Sequence, residues 1–308
     1  MSEYTSFRIG GAAKYFYDAK NIDDFLQAVK AAENSGLSYF ILGGGTNILV
    51  SDQGYDGIVI LSNNQAMEFT NNLVHVGPGV TVANLLEEAH KKGLGGIEFM
   101  AGIPGSVGGA IRGNAGAYGR ALGDFGDVVQ SVTVYKDGKI EKLTQQEMRF
   151  SYRSSVVKLE GGIILEALLK LQIKDPEEIL SIMNKNLEYR YKRTPSDVQS
   201  AGSVFKNIEL SKTLLNRKRI LKELDITKEE FAEVTKYDKL PVSYINDKLG
   251  HKGKTIGRAQ VSKLHGGYII NLGGAKADHV LQLIAFIKTR VRDKLGIHLE
   301  EEIQFVGF

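Results

Sequence analysis

Three observations predict an α+β chain in two regions. Helix-periodic and strand-periodic segments are interspersed along the whole sequence. Glycines cluster directly after strand signals rather than being spread evenly. A polar loop over 194–203 separates a long first region from a shorter second one. The length of 308 residues fits about two domains. With 43% hydrophobic and 24% charged residues the composition is globular. The 39 basic and 36 acidic residues leave a net charge of +3, so no nucleic-acid partner is expected. There is no cysteine. That excludes a disulfide framework, a thiolate metal site and a cysteine nucleophile, and it fits a reducing compartment. No apolar run opens the chain or approaches the ~20 residues of a membrane span, so no membrane association and a cytoplasmic location are expected.

The elements follow in order. Asn21 caps a helix through Ser35, with Phe25, Ala28, Val29 and Ala32 at helical spacing. Residues 38–42 read as a strand that runs into Gly43-Gly44-Gly45, and 57–61 and 73–76 as further strands. Thr81 caps a second helix with Leu85, Leu86 and Ala89 inside, and Gly93 stops it. A glycine-rich loop is expected over 102–119. Residues 128–135 and 139–143 form a hairpin, because Asp137-Gly138 supplies the positive φ of a tight turn. One long strand is expected over 162–173. Asp175-Pro176 then opens a helix to about Arg193, with proline at its first position. Short helices, a loop over 250–257 and a strand over 267–271 follow. Residues 278–295 form an amphipathic helix with Val280, Leu283, Ile284, Ile287, Val291 and Leu295 as its stripe, and 298–306 a closing strand. The division expected is a first region over 1–193 in two lobes, 1–62 and 63–193. A second region covers 194–296, and the closing strand of 297–308 returns towards the first.

Two loops carry the chemistry: Gly43-Gly44-Gly45-Thr46-Asn47 and Gly102-Ile-Pro104-Gly105-Ser106-Val-Gly108-Gly109. Glycine lets main-chain amides approach a phosphate with no Cβ in the way. Two such loops suit a dinucleotide, although neither has the G-x-G-x-x-G spacing, and tight turns between packed strands explain them equally. Gly253-Lys254-Thr255 resembles the end of a P-loop but has Lys248 where the first glycine belongs. The six histidines show no metal-ligand spacing, so no metal site is expected.

Taken in series, the motifs say more. Thr5 to Gly11, Gly43 to Asp52, Gly102 to Gly109, Asn114-Ala-Gly116-Ala-Tyr-Gly119, Phe150-Ser-Tyr-Arg153-Ser-Ser155, Ala201-Gly-Ser203-Val-Phe-Lys206-Asn207 and Leu299-Glu-Glu-Glu302-Ile303 occur in one order. This series resembles the UDP-N-acetylenolpyruvoylglucosamine reductase family of bacterial cell-wall synthesis, over nearly the whole chain. The resemblance implies the FAD-binding fold of the vanillyl-alcohol oxidase type, with a separate C-terminal substrate-binding α+β domain. It implies bound FAD, NADPH as co-substrate, and UDP-N-acetylglucosamine enolpyruvate as the sugar reduced to UDP-N-acetylmuramate. A monomer or weak oligomer is expected.

By motif match, Ser203 is the proton donor, with Lys206 a candidate helper, Arg153 the arginine facing flavin and substrate carboxylate, and Glu302 the catalytic glutamate. On a strand Glu302 points opposite to Ile303 and Phe305. Each also has a plain reading: a loop serine, a surface arginine, a solvated strand face. For FAD the match selects Gly43, Gly44, Thr46, Asn47, Pro104, Gly105, Ser106, Gly108, Gly109, Asn114 and Gly116. Asparagine and serine side chains there are expected to reach ribose or flavin edges. Lys185, Arg190, Lys192 and Arg193 form a basic run that meets the UDP diphosphate or a solvated helix face. The sequence departs from the family pattern at Arg112-Gly113, Ile208, Arg258, Lys263 to His265 and Lys276. Two other readings keep the cofactor: a flavin oxidase of another alcohol, and a non-catalytic nucleotide-sugar binder.

Overall fold

The computed structural model describes residues 1–117, 123–194 and 198–308. The chain divides into two compact units. One contains 13–44 and 56–192; the other contains 1–12, 45–55 and 193–308. The expected lobe 1–62 is therefore not a body of its own. Its segments 1–12 and 45–55 group with the C-terminal residues, because Ile48–Val50 pairs in parallel with Gln304–Val306.

The 13–44/56–192 unit holds two sheets. In the three-stranded sheet Tyr55–Ser62 lies between Ala13–Ala19 and Tyr39–Leu42. Helix Ile22–Asn34 buries Phe25, Ala28, Val29 and Ala32, the stripe its spacing predicts, and the Asn21 side chain accepts from Asp24 N at its start. The five-stranded sheet runs Lys139–Thr144, Val129–Lys136, Ile163–Lys170, Leu73–Val76, Met67–Thr70, antiparallel throughout. Its hairpin turns on Asp137 (φ +50°) and Gly138 (φ +77°), as the dipeptide requires. Its Val74, Val76, Val132 and Leu169 share one core with Leu85, Ile111, Phe125 and Met148.

Two expectations fail here. The strand expected over 162–173 breaks at Leu171, whose N–H donates to Asn72 O and whose C=O accepts from Asn72 Nδ2. The chain then changes partner, and Gln172–Ile173 pairs with Leu94–Gly95. The loop expected over 102–119 contains helix Val107–Gly113. Ser106 caps it, Val107, Ala110 and Ile111 bury one face, and Asn114 closes it in the left-handed region at φ +42°. Apolar and small residues between a cap serine and a C-terminal asparagine outweigh the glycines. The end of that loop, Tyr118 and Gly119, lies outside the described residues, as do 195–197 of the 194–203 loop.

The other unit is built on helix Ala277–Leu295, which buries Val280, Leu283, Ile284, Ile287, Val291 and Leu295 as its periodicity predicts. These pack with Phe7, Leu49, Val204, Phe205, Ile245, Val261 and Ile303 in one core. The Asp52 carboxylate sits at this helix's N-terminus and accepts from Ala277 N at 2.9 Å and Asp278 N at 3.3 Å. Among the described residues the closing strand is shorter than expected, Gln304–Val306. Residues 298–303 are held by single contacts to Val204, Lys206 and Asn47 rather than by a ladder.

Candidate active site

The two glycine loops meet in the 13–44/56–192 unit. A Cβ on Gly44 would stand 2.8 Å from Gly105 Cα and 3.0 Å from Ser106 N, so only glycine allows the two backbones this close. Ser106 ties them: its buried Oγ accepts from Gly44 N and Gly109 N, each at 3.3 Å. Gly108 packs on Pro78 and donates to its carbonyl at 2.9 Å. Among the described residues the amides of Gly43, Gly105 and Ser106 donate to no protein acceptor. Gly44, Pro104 and Gly109 are exposed. The result is a run of main-chain donors beside a serine, suited to an anion. Thr46 and Asn47, from the same motif, belong to the other unit.

Asn114 does not reach outward as expected. It is 2% exposed. Its Nδ2 donates to Ser151 O at 2.9 Å, and its Oδ1 accepts from Gly126 N at 2.9 Å. Its side chain clamps two backbone segments. Gly116 lies against Asp124, where a Cβ would clash with the carboxylate and with Gly123 O.

Arg153 stands at the tip of a turn in which Ser151 and Ser154 exchange backbone hydrogen bonds. Its φ of +55° is unusual for a side-chain-bearing residue. Nη2 donates to Gly116 O at 2.8 Å and Nη1 to Asn114 O at 3.5 Å, with the guanidinium over the Tyr152 ring. The structure thus brings Arg153 to the 114–116 segment.

Ser203 and Glu302 come together in the other unit. Gly202 turns the chain at φ +78°, and Ser203 then bridges Tyr268. Val204 N donates to Gly267 O at 2.9 Å, and Val204 O accepts from Glu302 N at 2.7 Å. The Glu302 carbonyl accepts from Asn47 Nδ2 at 3.1 Å, so Asn47 holds the glutamate's backbone. Among the described residues the half-buried Ser203 hydroxyl has no protein hydrogen-bond partner. The candidate helper Lys206 pairs its Nζ with Glu300 at 3.0 Å. Glu301 holds Lys288 at 2.7 Å. Glu302 and Ile303 precede the strand Gln304–Val306, so the alternation expected of a strand does not apply to them. Ile303 is 4% and Phe305 37% exposed, so those two do not share a buried face.

Sequence reasoning gave no role to His265, on the segment that pairs with Ser203. Its Nδ1 accepts from Gly267 N at 3.2 Å, and its ring lies 4.6 Å from that of Tyr268. Burial above all, then Arg193 and Lys252, push its pKa down to about 4, so it is neutral. Of the basic run, Arg190 reaches back to Phe99 O at 3.5 Å and Lys192 pairs with Glu188 at 2.6 Å. Gly253-Lys254-Thr255 opens no helix: Thr255–Ile256 is a short strand. Among the described residues there is no metal-binding group of three or more His, Asp or Glu, and no helix long and apolar enough to cross a membrane.

Comparison with known proteins agrees with this geometry. Residues 13–144 match the family model described as FAD binding domain. Residues 194–306 match UDP-N-acetylenolpyruvoylglucosamine reductase, C-terminal domain. The UDP-N-acetylenolpyruvoylglucosamine reductase of Bacillus licheniformis is 36% identical over 312 residues, spanning all of this chain and 92% of its own length. That of Bacillus subtilis is 36% identical over 310 residues with the same coverage. The crystal structure of the Thermus caldophilus enzyme superposes with a TM-score of 0.76 at 30% identity, over 99% of this chain and 96% of its own. The fold class expected from the motif series is thereby established. FAD also fits the residues present, since the amides of Gly43, Gly105 and Ser106 have no acceptor among the described residues and lie where the two loops approach too closely for a Cβ on Gly43 or Gly44. On all these grounds, the chain belongs to the UDP-N-acetylenolpyruvoylglucosamine reductase family.

Proposed function

We propose that the protein reduces the enolpyruvyl group of UDP-N-acetylglucosamine enolpyruvate to UDP-N-acetylmuramate, with bound FAD and NADPH as co-substrate, in the cytoplasmic synthesis of peptidoglycan precursors. The full-length match to reductases of this name carries the reading. FAD is assigned to residues within 1–193 and the UDP-sugar to 194–296, in a protein that acts as a monomer or weak oligomer without nucleic acid or membrane. When bound, FAD supplies the hydride that adds to the enolpyruvyl CH2 carbon. That addition leaves charge on the neighbouring carbon and its carboxylate.

The chain's own residues then have two tasks. Arg153, gripped by the Gly116 carbonyl, presents a planar cation suited to a carboxylate and offsets the charge. Ser203 delivers the proton: among the described residues its hydroxyl has no protein partner, and its neighbour Val204 is bonded to the Glu302 backbone, so a substrate carbon is its natural recipient. Glu302 completes the catalytic set. The amides of Gly43, Gly105 and Ser106 hold the cofactor pyrophosphate, and Gly44, Gly108 and Gly109 add no side chain to the loops that carry them. Pro104, Gly116, Thr46 and Asn47 are assigned to FAD by the motifs they belong to.

The test separates the two halves of the reaction. NADPH oxidation by FAD-loaded protein is measured with and without the enolpyruvyl sugar, then repeated for Ser203→Ala. Sugar-dependent oxidation is expected, and the variant should still bleach its flavin with NADPH while sugar reduction stalls by ~10²–10⁴-fold. Equal loss of both steps would remove Ser203 from the proton-donor role. No effect of the sugar on wild type would remove the substrate.

A further inference from the structure

We propose that Arg112 is a phosphate-binding residue of the cofactor site, its guanidinium paired with the pyrophosphate of bound FAD. The inference rests on the FAD reading above and adds a residue at which this chain departs from its family's pattern. Arg112 lies in the last turn of helix Val107–Gly113, between the Pro104–Gly109 loop and the Asn114–Gly116 segment. It is half-buried. Among the described residues its guanidinium makes no hydrogen bond and no ion pair; only its carbonyl is engaged, by Ser155 Oγ at 2.7 Å. It does not cap its own helix.

A desolvated cation with no partner is costly, and burial alone pulls its pKa below the ordinary arginine value with no acid offsetting it. Helix geometry says where the missing anion belongs. Residues three and four apart share a face, so Arg112 shares one with Gly109 and Gly108. A long helical side chain lies over the turn before its own Cα. For Arg112 the two positions on its own face of that turn, Gly108 and Gly109, bear no side chains, and beyond them in the chain lie the unbonded amides of Gly105 and Ser106. Amides and guanidinium together form a donor set for a diphosphate, which arginine engages through paired N–H groups.

The experiment uses full-length protein stripped of flavin and measures the affinity of FAD and of riboflavin, which has the same ring and no phosphate. Arg112→Gln should weaken FAD by about ten- to hundredfold and leave riboflavin unchanged, since charge-assisted bonds are lost only for the phosphates. Arg112→Lys keeps the charge and should recover part of the loss. Raising salt should weaken FAD binding more steeply in wild type than in Arg112→Gln. Wild-type FAD affinity in a folded Arg112→Gln protein would overturn the proposal. So would an equal loss for both ligands, which would put Arg112 against the ring. Should Arg112→Gln fail to fold, Arg112→Lys decides alone: it must bind FAD more weakly than wild type with riboflavin unaffected. Wild type that binds riboflavin and FAD alike also overturns it, whereas wild type that binds neither overturns the FAD reading itself.

Discussion

Acid should destabilise this protein through His251, and the amount follows from its surroundings. The ring is 4% exposed and lies edge-on to Phe286, 5.3 Å between centroids. Asn246 Nδ2 donates to Gly266 O at 2.7 Å, which turns its Oδ1 towards the ring. His251 Nδ1 stands 3.0 Å from that oxygen, so this network assigns the proton to Nδ1. Burial first, then Arg290, push the pKa down to about 4 from 6.5. The unfolded chain therefore takes up its proton first as pH falls. Stability from this residue is complete above about 6.5 and is lost down to about 4. The whole window is worth about 3 kcal/mol, and the step from pH 7.5 to pH 5 about 2 kcal/mol. Urea unfolding at those two values, in wild type and His251→Asn, measures it. Asparagine keeps an N–H near Nδ1 and does not titrate. Its overall cost cancels, because only the change with pH is read. The variant should lose about 2 kcal/mol less than wild type on acidification. An identical loss in both proteins would refute the assignment.

Two further substitutions probe the loops. Gly44→Ala places a methyl 2.8 Å from Gly105 Cα, which only a backbone shift relieves. A loss of about 1–3 kcal/mol and a fall in the flavin retained through purification are expected. Gly109→Ala meets nothing closer than Ser106 Oγ at 3.4 Å and should keep its stability. Asn114→Ala strands the buried Gly126 N–H, removes the bond to Ser151 O and forces alanine to φ +42°, so about 2–5 kcal/mol should disappear from urea unfolding. Asn114→Gly loses the same bonds without the dihedral cost and should be more stable than Asn114→Ala by about 1 kcal/mol.

Much of the fold was legible because its elements obey local rules. The stripes of the Ile22–Asn34 and Ala277–Leu295 helices repeat at 3–4 residues, and the Asp137-Gly138 turn is specified by two adjacent residues. The fold departs from what its sequence suggests where a partner distant along the chain decides. The break at Leu171 depends on Asn72, and the shape of 298–303 on Val204 and Asn47. Nothing local to either segment announces those partners. In the site, residue types were readable but their duties were not. Asn114 has the chemistry of a ligand, yet two backbone groups consume it. Lys206 is a cation near Ser203 in sequence, yet an extended backbone turns residues three apart to opposite sides, and Glu300 takes it. Arg112 is visible only as an oddity until the absence of a partner gives it meaning.

The acid at Asp52 bears on how the chain is made. It accepts from the first amides of a helix that begins 225 positions later, and its neighbouring strand Ile48–Val50 waits for Gln304–Val306. At ribosomal speeds of about 5–20 residues per second, the 256 residues between Ile48 and Gln304 take about 13–50 s to arrive. Throughout that interval an apolar tripeptide stays in the nascent chain without the strand it will pair with. Residues 56–192 are synthesised in the same interval and find their sheet partners among themselves or in 13–44, already made. The region 194–306 is accordingly a poor candidate for transplantation as a module. Grafted alone, it would leave behind the strand, the helix-capping carboxylate and the core residues Phe7 and Leu49 that were translated long before it.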